Sequence, residues 1–206
     1  MVVEVLVVGQ LKTNCYLFYD QSSRKSFIID PGDDADFIIR RIQDLALQPQ
    51  AILTTHGHFD HVLATVELKL AFNIPFYLNQ DDLPILKRTQ STAKFFLGVD
   101  VDVPPQVDGD LVNGKELSLG KLNLKVIKTP GHTPGGVCFY CQDKSLIFVG
   151  DLIFSSGSYG RTDLSGGDFS LLKKSIKKVL KLPSKTIIYP GHGDKTTISI
   201  ERQYWQ

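Results

Sequence analysis

The chain has 206 residues, 42% of them hydrophobic, and a formal net charge of +1 at pH 7. This length and composition can bury one substantial core, and we predict a single domain over residues 1–206. The near-neutral charge and the lack of a basic run argue against a nucleic-acid partner. The apolar N-terminus contains Glu4 and is too short to cross a bilayer, so no secretory or membrane segment is indicated. We therefore expect a cytoplasmic protein without a membrane partner.

Strand-like and helical patterns alternate along the first half of the chain. Residues 2–8, 14–19 and 26–30 are predicted to form the strands of an antiparallel meander. The next predicted elements, in chain order, are a helix at Asp34–Leu47, a strand at Ala51–Thr55, a helix at His61–Phe72, a strand at Pro75–Leu78 and a short helix at Asp81–Lys87. The helix at 61–72 is indicated by Val62, Val66 and Leu70, which recur at a spacing of four.

The second half repeats this organisation. Its predicted elements are strands at 122–128, 136–141 and 145–149, a helix at Asp168–Lys181 and a strand at Thr186–Tyr189. That helix has a lysine-rich face, interpreted as solvated surface, opposite an apolar face that consists of Phe169, Leu172, Ile176 and Leu180. Two sheets covered on the outside by helices predict an α+β fold, a four-layer αββα sandwich.

Residues 90–115 do not follow either pattern. They are rich in Asp, Pro and Gly, and we expect a long irregular excursion that overhangs the functional site.

Metal-binding side chains follow the strand-like runs in four places. They are the block His56-Gly57-His58-Phe59-Asp60-His61, and then His132, Asp151 and His192. These segments contain all five histidines of the chain, and strand ends beside Gly or Pro turns are where rigid scaffolds present functional groups. Imidazole and carboxylate ligands suit borderline divalent metals, and catalytic sites keep an open position for water. The seven ligands suffice for two metal ions, so we predict a two-metal catalytic site.

The block at 55–61 resembles the H-x-H-x-D-H signature of the metallo-β-lactamase superfamily. Further matching motifs follow in the superfamily's order: Ile29-Asp30-Pro31-Gly32, Pro130-Gly131-His132-Thr133-Pro134-Gly135, Gly150-Asp151 and Pro190-Gly191-His192-Gly193. The resemblance covers nearly the whole chain. Within the superfamily, the sequence is most similar to short glyoxalase II-like (hydroxyacylglutathione hydrolase-like) hydrolases. Ser158–Asp163 resembles their G-R-T-D stretch and also that of the related persulfide dioxygenases.

The resemblance implies the αββα fold and a dinuclear site. It assigns His56, His58 and His132 to one ion, and it assigns Asp60, His61 and His192 to the other, with Asp151 as the bridge. It makes Asp60 and Asp151 the catalytic carboxylates. The implied cofactors are two divalent ions, Zn in the first place and Fe or Mn as alternatives. The implied partner is a small-molecule acyl thioester or ester, hydrolysed by a hydroxide that bridges the metals.

Classical glyoxalase II enzymes carry a C-terminal helical segment that helps to bind glutathione. Such a domain is not expected here, because the sequence ends at Gln206 soon after the His192 loop. The alternatives are a mononuclear iron persulfide dioxygenase, a β-lactamase or lactonase, and a non-catalytic metal-binding module. The 190–193 motif favours a hydrolase over the dioxygenase, and Asp151 argues against a β-lactamase. A nuclease is disfavoured by the near-neutral charge.

Several residues near these motifs keep two interpretations. Asp30 is either a partner that steadies a histidine or a turn residue before Pro31-Gly32. Arg161 contacts an anionic substrate or forms a structural ion pair, and Tyr159 either lines the pocket or packs. The cysteines, at positions 15, 138 and 141, are predicted to be reduced and structural, because Cys138 and Cys141 would face opposite sides of one strand.

Overall fold

The computed structural model describes residues 2–205, which form two mixed β-sheets of six strands each. The strands of the first sheet, in spatial order, are β1 (Val2–Val8), β2 (Thr13–Tyr19), β3 (Lys25–Ile29), β4 (Gln48–Leu53), β5 (Phe76–Leu78) and β6 (Gly109–Asp110). The first three strands pair antiparallel and the last four pair parallel. The antiparallel meander predicted at the N-terminus is confirmed.

The second sheet is built by the C-terminal half of the chain. Its strands, in spatial order, are β12 (Thr196–Thr197), β11 (Ile187–Pro190), β10 (Leu146–Gly150), β9 (Val137–Cys141), β8 (Leu122–Lys128) and β7 (Glu116–Leu119). Only β10 and β11 pair in parallel, and the other neighbours are antiparallel. Every residue of β9 and β10 is buried, as expected for strands that are covered on both faces.

Within residues 2–205, six α-helices cover the outer faces of the sheets or connect their strands. They are α1 (Ala35–Asp44), α2 (Thr65–Phe72), α3 (Leu83–Leu86), α4 (Thr89–Leu97), α5 (Phe169–Val179) and α6 (Ile198–Glu201). One apolar cluster joins α1 and α2 to the first sheet, and another joins α5 and α6 to the second. A third cluster lies between the sheets, where Phe18, Phe139 and Phe148 are fully buried. The predicted αββα sandwich is therefore correct.

Side chains alternate between the two faces of β9, and this places its two cysteines in different environments. Cys138 packs with the cluster under α5, whereas Cys141 packs in the cluster between the sheets. All three cysteines are free and buried, and burial raises their thiol pKa values. The prediction of reduced structural thiols on opposite faces is confirmed, because neighbouring strand positions alternate between faces.

The predicted helix at 61–72 is wrong in its start and in its buried face. His61 ends a short 3₁₀ helix (Phe59–His61), and α2 begins only at Thr65. The intervening turn is held from outside the segment, because the Ala64 amide donates to the Pro31 carbonyl at 3.1 Å. Leu70 is 78% exposed, and α2 instead buries Leu68.

The segment 90–115 is more regular than its composition predicts. Helix α4 occupies Thr89–Leu97 and ends at Gly98, whose φ of 73° suits the residue that follows a helix. Strand β6 pairs with β5 and extends the first sheet. The irregular parts are 98–108, where most of the Asp and Pro residues of the segment lie, and the turn at 111–115.

Helix α5 agrees closely with its prediction at 168–181. It begins after Asp168, whose side chain accepts from the Leu171 amide at 2.9 Å and so caps the first turn. Its lysines at 173, 174, 177 and 178 are exposed, as interpreted. Phe169 is the exception on the apolar face, because it is 45% exposed and its ring contacts Tyr159 instead of the core. Between Val2 and Trp205, no helix is long and apolar enough to cross a membrane.

Candidate metal centre

The seven predicted ligands meet at one edge of the sandwich. The block at 56–61 follows β4, and His132 follows β8 after a short turn. Asp151 is the first residue after β10, and His192 follows β11. All four strands end at this edge, so loops that are far apart in sequence converge there on a rigid support.

The ligand atoms form three overlapping groups. They are His56, His58 and His132; His56, His61 and Asp151; and Asp60, His61 and His192, each with its atoms within 4.8 Å of one another. The members of the first group approach closely, with His58 Nδ1 2.9 Å from His132 Nε2. Clusters of three or four nitrogen and oxygen donors are the usual surroundings of a catalytic divalent ion.

Asp151 lies between the first and the third group and contacts members of both. Its Oδ1 is 3.4 Å from His61 Nε2, and its Oδ2 is 3.6 Å from both His132 Nε2 and His192 Nε2. Asp60 contacts only the other members of the third group, with Oδ2 3.7 Å from His61 Nε2 and 3.3 Å from His192 Nε2. The two carboxylates therefore differ in position: one is shared and the other belongs to one side.

Four of the five imidazoles are oriented through the nitrogen that points away from the centre. His132 Nδ1 donates to the Arg161 carbonyl at 2.7 Å, and His192 Nδ1 donates to the Leu11 carbonyl at 3.1 Å. The Nδ1 atoms of His56 and His61 lie 3.1 Å from Thr55 Oγ1 and 3.2 Å from Asp30 Oδ2, respectively. Such outer contacts select the tautomer whose Nε2 lone pair faces the centre, which is the form that binds a metal.

Besides His61 Nδ1, whose contact with Asp30 Oδ2 at 3.2 Å is an ion pair and not a hydrogen bond, three buried polar atoms at this point have no hydrogen-bond partner among residues 2–205. They are His56 Nε2, His61 Nε2 and Asp151 Oδ1. Leaving buried polar atoms without partners is costly, and native structures rarely do so. Divalent ions would satisfy all three, and the nitrogen and carboxylate donor set suits Zn, Fe or Mn. The residues therefore fit a pair of divalent ions.

The local electrostatics prepare the same donors for cations. Burial lowers the pKa of His56 and of His58, the latter to about 4, so both imidazoles are neutral near pH 7. Burial opposes the charge of Asp151, but His61 and its neighbouring imidazoles outweigh burial and hold the pKa of the carboxyl below its usual range. His61 differs: burial disfavours its charge, yet the surrounding carboxylates raise its pKa, so this imidazole must release a proton before it can bind a metal. Neutral imidazoles and ionised carboxylates are the forms that metal ligation requires.

Asp30 supports the centre from beneath. It is 1% exposed, and it accepts from the amide and the hydroxyl of Thr55 at 2.6 and 2.7 Å. Because the Thr55 hydroxyl donates to Asp30, that hydroxyl accepts from His56 Nδ1. Asp30 thus steadies His61 directly and His56 through Thr55, which favours the first of its two predicted roles.

Asp82 is a supporting residue that the sequence analysis missed. Its carboxylate is fully buried and accepts from three donors on two loops: the Gly57 amide at 2.9 Å, the Thr133 hydroxyl at 2.8 Å and the Gly135 amide at 2.6 Å. Burial raises its pKa, although these hydrogen bonds oppose the shift. Asp82 ties the His56–His58 loop to the His132 loop. It stands at the start of a short helix, where an acidic residue is ordinary, so the sequence carries no signal of this role.

Replacement of Asp82 by Asn is expected to weaken the group formed by His56, His58 and His132. The amide keeps the volume of the side chain but replaces one acceptor by a donor that faces Gly57, Thr133 or Gly135. We expect metal affinity to fall by about tenfold, as for other outer partners of metal ligands. Titration with Zn²⁺, followed by calorimetry, measures this change. Asp81→Asn is the matched control, because Asp81 is exposed and pairs with Lys128; an equal loss in both variants would contradict the assigned role.

The His192 loop is fastened to the opposite sheet. The Asn14 side chain donates to the carbonyls of Pro190 and Gly193 at 3.0 and 2.9 Å, and the Tyr16 hydroxyl donates to Pro190 at 2.5 Å. The backbone N–H of Asn14 also donates to the Gly191 carbonyl, at 2.7 Å. These contacts join residues about 175 positions apart, so no local sequence pattern predicts them.

The centre opens into an apolar cleft of about 500 Å³. The ligands His58, Asp60, His132, Asp151 and His192 line its floor, and its apolar walls are formed by Leu11, Phe59, Ile85, Phe96, Phe154 and Leu164. Phe96 belongs to α4 and stacks on Phe59 with ring centroids 5.9 Å apart. The segment after residue 90 therefore overhangs the site, as predicted, although it does so as a helix. A cleft of this size suits a small-molecule substrate.

The contacts of Arg161 and of Tyr159 distinguish between the two interpretations of each residue. The Arg161 guanidinium makes two hydrogen bonds to the Asp163 carboxylate, at 2.8 and 2.7 Å, so the structural ion pair is present. Tyr159 packs against Phe169 and Trp205, with ring centroids 5.4 Å away in each case. Tyr159 is a packing residue. The contribution of Arg161 to the site comes from its carbonyl, which holds His132.

Comparison with known proteins gives the same picture. The family model described as the metallo-beta-lactamase superfamily matches residues 8–192. A probable metallo-hydrolase of Bacillus subtilis is 37% identical over 200 residues, covering 95% of this chain and 92% of the relative. The hydroxyacylglutathione hydrolase GloC of Haemophilus influenzae is 36% identical over 211 residues, covering 98% of this chain and 96% of that enzyme.

Solved structures share the whole architecture. The BLEG-1 B3 metallo-beta-lactamase superposes with a TM-score of 0.91 at 38% identity, covering 98% of this chain and 97% of the other. A protein solved in a di-iron-bound form gives 0.90 at 37% identity, with 98% of each chain covered. ETHE1 from Myxococcus xanthus gives 0.82 at 26% identity, covering 100% of this chain and 83% of the other.

Proposed function

The chain belongs to the metallo-beta-lactamase superfamily, and we propose that it is a metal-dependent hydrolase of a small acyl thioester or ester, with residues 1–206 acting as one domain. One observation carries the proposal: a single carboxylate, Asp151, is shared by two groups of imidazoles at the floor of an apolar cleft. The proposed ligands of one ion are His56, His58 and His132. Those of the other are Asp60, His61 and His192, and Asp151 is the bridge.

Divalent ions held there would polarise the substrate carbonyl and bring the pKa of water to about 7. The protein supplies the remaining requirements. Asp60 and Asp151 both line the cleft, and Asp60 lies beside His192, where it can accept a hydrogen bond from water that enters the site. The apolar walls position the acyl group and exclude bulk water, which strengthens the electrostatic interactions inside the cleft.

The chemical class of the substrate is inferred from relatives. GloC is a hydroxyacylglutathione hydrolase that matches nearly the whole chain, which supports a thioester as the substrate. The probable metallo-hydrolase of Bacillus subtilis supports hydrolysis more generally. Hydrolysis also agrees with the two-sided position of Asp151, because two ions on either side of a shared carboxylate can stabilise both the attacking and the leaving atom.

Hydrolysis of a β-lactam is a second candidate function. It is favoured by the 38% identity to the BLEG-1 B3 metallo-beta-lactamase over almost the full length of both chains. The apolar cleft would accept either kind of substrate, since both reactions attack a carbonyl that a cation polarises.

The identity of the metal belongs to the proposal as well. We propose Zn²⁺ first, because imidazole and carboxylate ligands suit it. Iron is the alternative, supported by the 37% identical protein that was solved with two iron ions. A mononuclear iron dioxygenase would need only three of the seven ligands, and it would leave the Asp60, His61 and His192 group without a function.

Metal analysis combined with a substrate screen tests the proposal. The protein purified without added metal should contain about two divalent ions per chain, as the seven donors require. Reconstituted with Zn²⁺, Fe²⁺ or Mn²⁺, it should hydrolyse S-lactoylglutathione or simple acyl thioesters faster than penicillins or lactones. One iron per chain with oxygen uptake on glutathione persulfide would refute the proposal. Tight metal binding without turnover of any substrate would instead indicate a non-catalytic module.

A further inference from the structure

The cleft contains an arginine without an ionic partner. Arg88 lines the same cavity as His58 and Asp151, and it is exposed. In the described range 2–205, no carboxylate forms an ion pair with its guanidinium. The other arginine of the cleft, Arg161, has its charge matched by Asp163. Arg88 is therefore the cation of this cleft that remains free to receive an anion.

The backbone around Arg88 is held firmly. Arg88 lies between α3 and α4, where its amide donates to the Ile85 carbonyl and its own carbonyl accepts from the Thr92 amide, both at 2.9 Å. Ile85 and Thr92 line the same cleft. The position from which the guanidinium reaches into the cavity is thus set by two helices, and the ordering cost on binding is limited to the side chain.

The apolar surroundings of Arg88 define a second requirement for the substrate. Phe59 and Phe96 form a stacked aromatic wall, and Leu164 and Phe154 line the same cavity. A substrate that fills this cavity must present apolar surface to those walls. It reaches the metal ligands with its carbonyl, and a group that can pair with a guanidinium must lie elsewhere on the molecule.

We propose that Arg88 binds a carboxylate of the substrate, so that the preferred substrates are anionic acyl thioesters with an apolar body. This inference rests on the proposed thioester hydrolysis and specifies its substrate class. A guanidinium binds a carboxylate through two parallel hydrogen bonds, which adds orientation to attraction. The carboxylate can belong to the acyl group or to the thiol carrier, and both sources offer the same chemistry to Arg88.

Lys87 provides a matched control on the neighbouring position. It is an exposed cation like Arg88, but it lines a separate groove together with Pro104 and Pro105. Lys87→Gln and Arg88→Gln therefore remove the same charge from adjacent exposed positions, and only the second removes it from the metal cleft. Arg88→Lys keeps the charge without the planar fork, so it should retain only part of the preference.

The experiment compares substrates that differ only in charge. In the first arm, the glutaryl thioester of N-acetylcysteamine is compared with its methyl ester. In the second arm, the butyryl thioester of N-acetylcysteine is compared with that of N-acetylcysteine methyl ester. We expect the metal-loaded wild-type protein to prefer the anionic member of one arm by about tenfold in kcat/KM, the scale of one charge-assisted contact. The arm that shows the preference identifies the source of the carboxylate.

The variants decide whether Arg88 is responsible. Arg88→Gln should abolish the preference through a higher KM for the anionic thioester alone, and Lys87→Gln should keep it. The preference should also shrink as the salt concentration rises. Equal rates on both members of both arms, or an unchanged preference in Arg88→Gln, would overturn the inference while leaving thioester hydrolysis intact.

A binding measurement separates this inference from the proposed function. If no thioester is hydrolysed, the proposed function fails, and calorimetric titration with the same compounds tests Arg88 by itself. Tighter binding of the anionic member, lost in Arg88→Gln and kept in Lys87→Gln, would support the role of Arg88. Equal affinities for the charged and uncharged members would refute it.

Discussion

Replacement of Asp151 by Ala is expected to remove both metal ions and to abolish hydrolysis. The carboxylate is the one side chain that faces His61 with one oxygen and both His132 and His192 with the other. Its loss removes a ligand from each proposed ion at once. If the ions contribute several kcal/mol of transition-state stabilisation, the rate should fall by about 10³-fold or more. Metal content by mass spectrometry and kcat/KM on an acyl thioester measure the two effects.

The control for this prediction is Asp143→Ala. Asp143 is an exposed acidic residue on the short 3₁₀ helix Gln142–Lys144, which connects β9 to β10, and it lines no part of the cleft. The Asp143→Ala variant should keep both the metal content and the activity of the wild-type protein. An Asp151→Ala protein that retains two ions per chain, or one that loses metal without losing activity, would show that the bridging assignment is incorrect.

Replacement of Gly191 by Ala should disturb the same carboxylate through a single methyl group. A Cβ atom at this position would overlap Asp151 Oδ1 and lie 2.8 Å from His61 Cε1. The backbone of Gly191 is not in the left-handed region, so the substitution adds a steric effect without backbone strain. A displacement of about 1 Å at a catalytic group can cost on the order of 10²-fold in rate, and we expect a loss of this size. Metal titration and steady-state kinetics on the purified variant test it.

Gly193→Ala separates steric displacement from loop strain. Gly193 lies in the same loop with a φ of 73°, and a Cβ there would meet no atom within 4 Å. This variant should lose about 1 kcal/mol of unfolding free energy because of its backbone, while its metal content stays near that of the wild type. If Gly191→Ala binds metal and turns over substrate normally, the carboxylate is not held as tightly as the contacts indicate. A loss of metal in Gly193→Ala alone would lead to the same conclusion.

The seven candidate ligands can be predicted from the sequence because their chemistry and spacing are local properties. Imidazoles and carboxylates after strand-like runs remain recognisable without any knowledge of the tertiary contacts. The same is true of the sheets, since alternation and burial follow from the side chains of each strand. Helices were predicted less well where a tertiary contact overrides the pattern. The turn before α2 is held by the Pro31 carbonyl, the helix begins at Thr65 instead of His61, and Leu70 lies in solvent.

The residues that support the site, in contrast, could not be predicted from local sequence patterns. Asp82, Asn14 and Tyr16 are ordinary residues in their own segments, and each acquires a role only because another loop meets it. Arg88 is similar, since its lack of a partner and its place in the cleft depend on how α3 and α4 approach the metal centre. None of these positions carries a motif, so only the folded chain distinguishes them from their neighbours.

The sequence alone determined the fold class and the set of seven candidate ligands, because these depend on residue type, periodicity and spacing, and its motifs indicated the superfamily by resemblance. The tertiary structure decided how the ligands are grouped and oriented, which residues support them and what surrounds the cleft. The reason is physical: hydrogen bonds such as those of Asp82 to Gly135, and contacts such as that of Asp151 to His192, join segments tens of residues apart. Their geometry exists only after the two sheets have packed against each other.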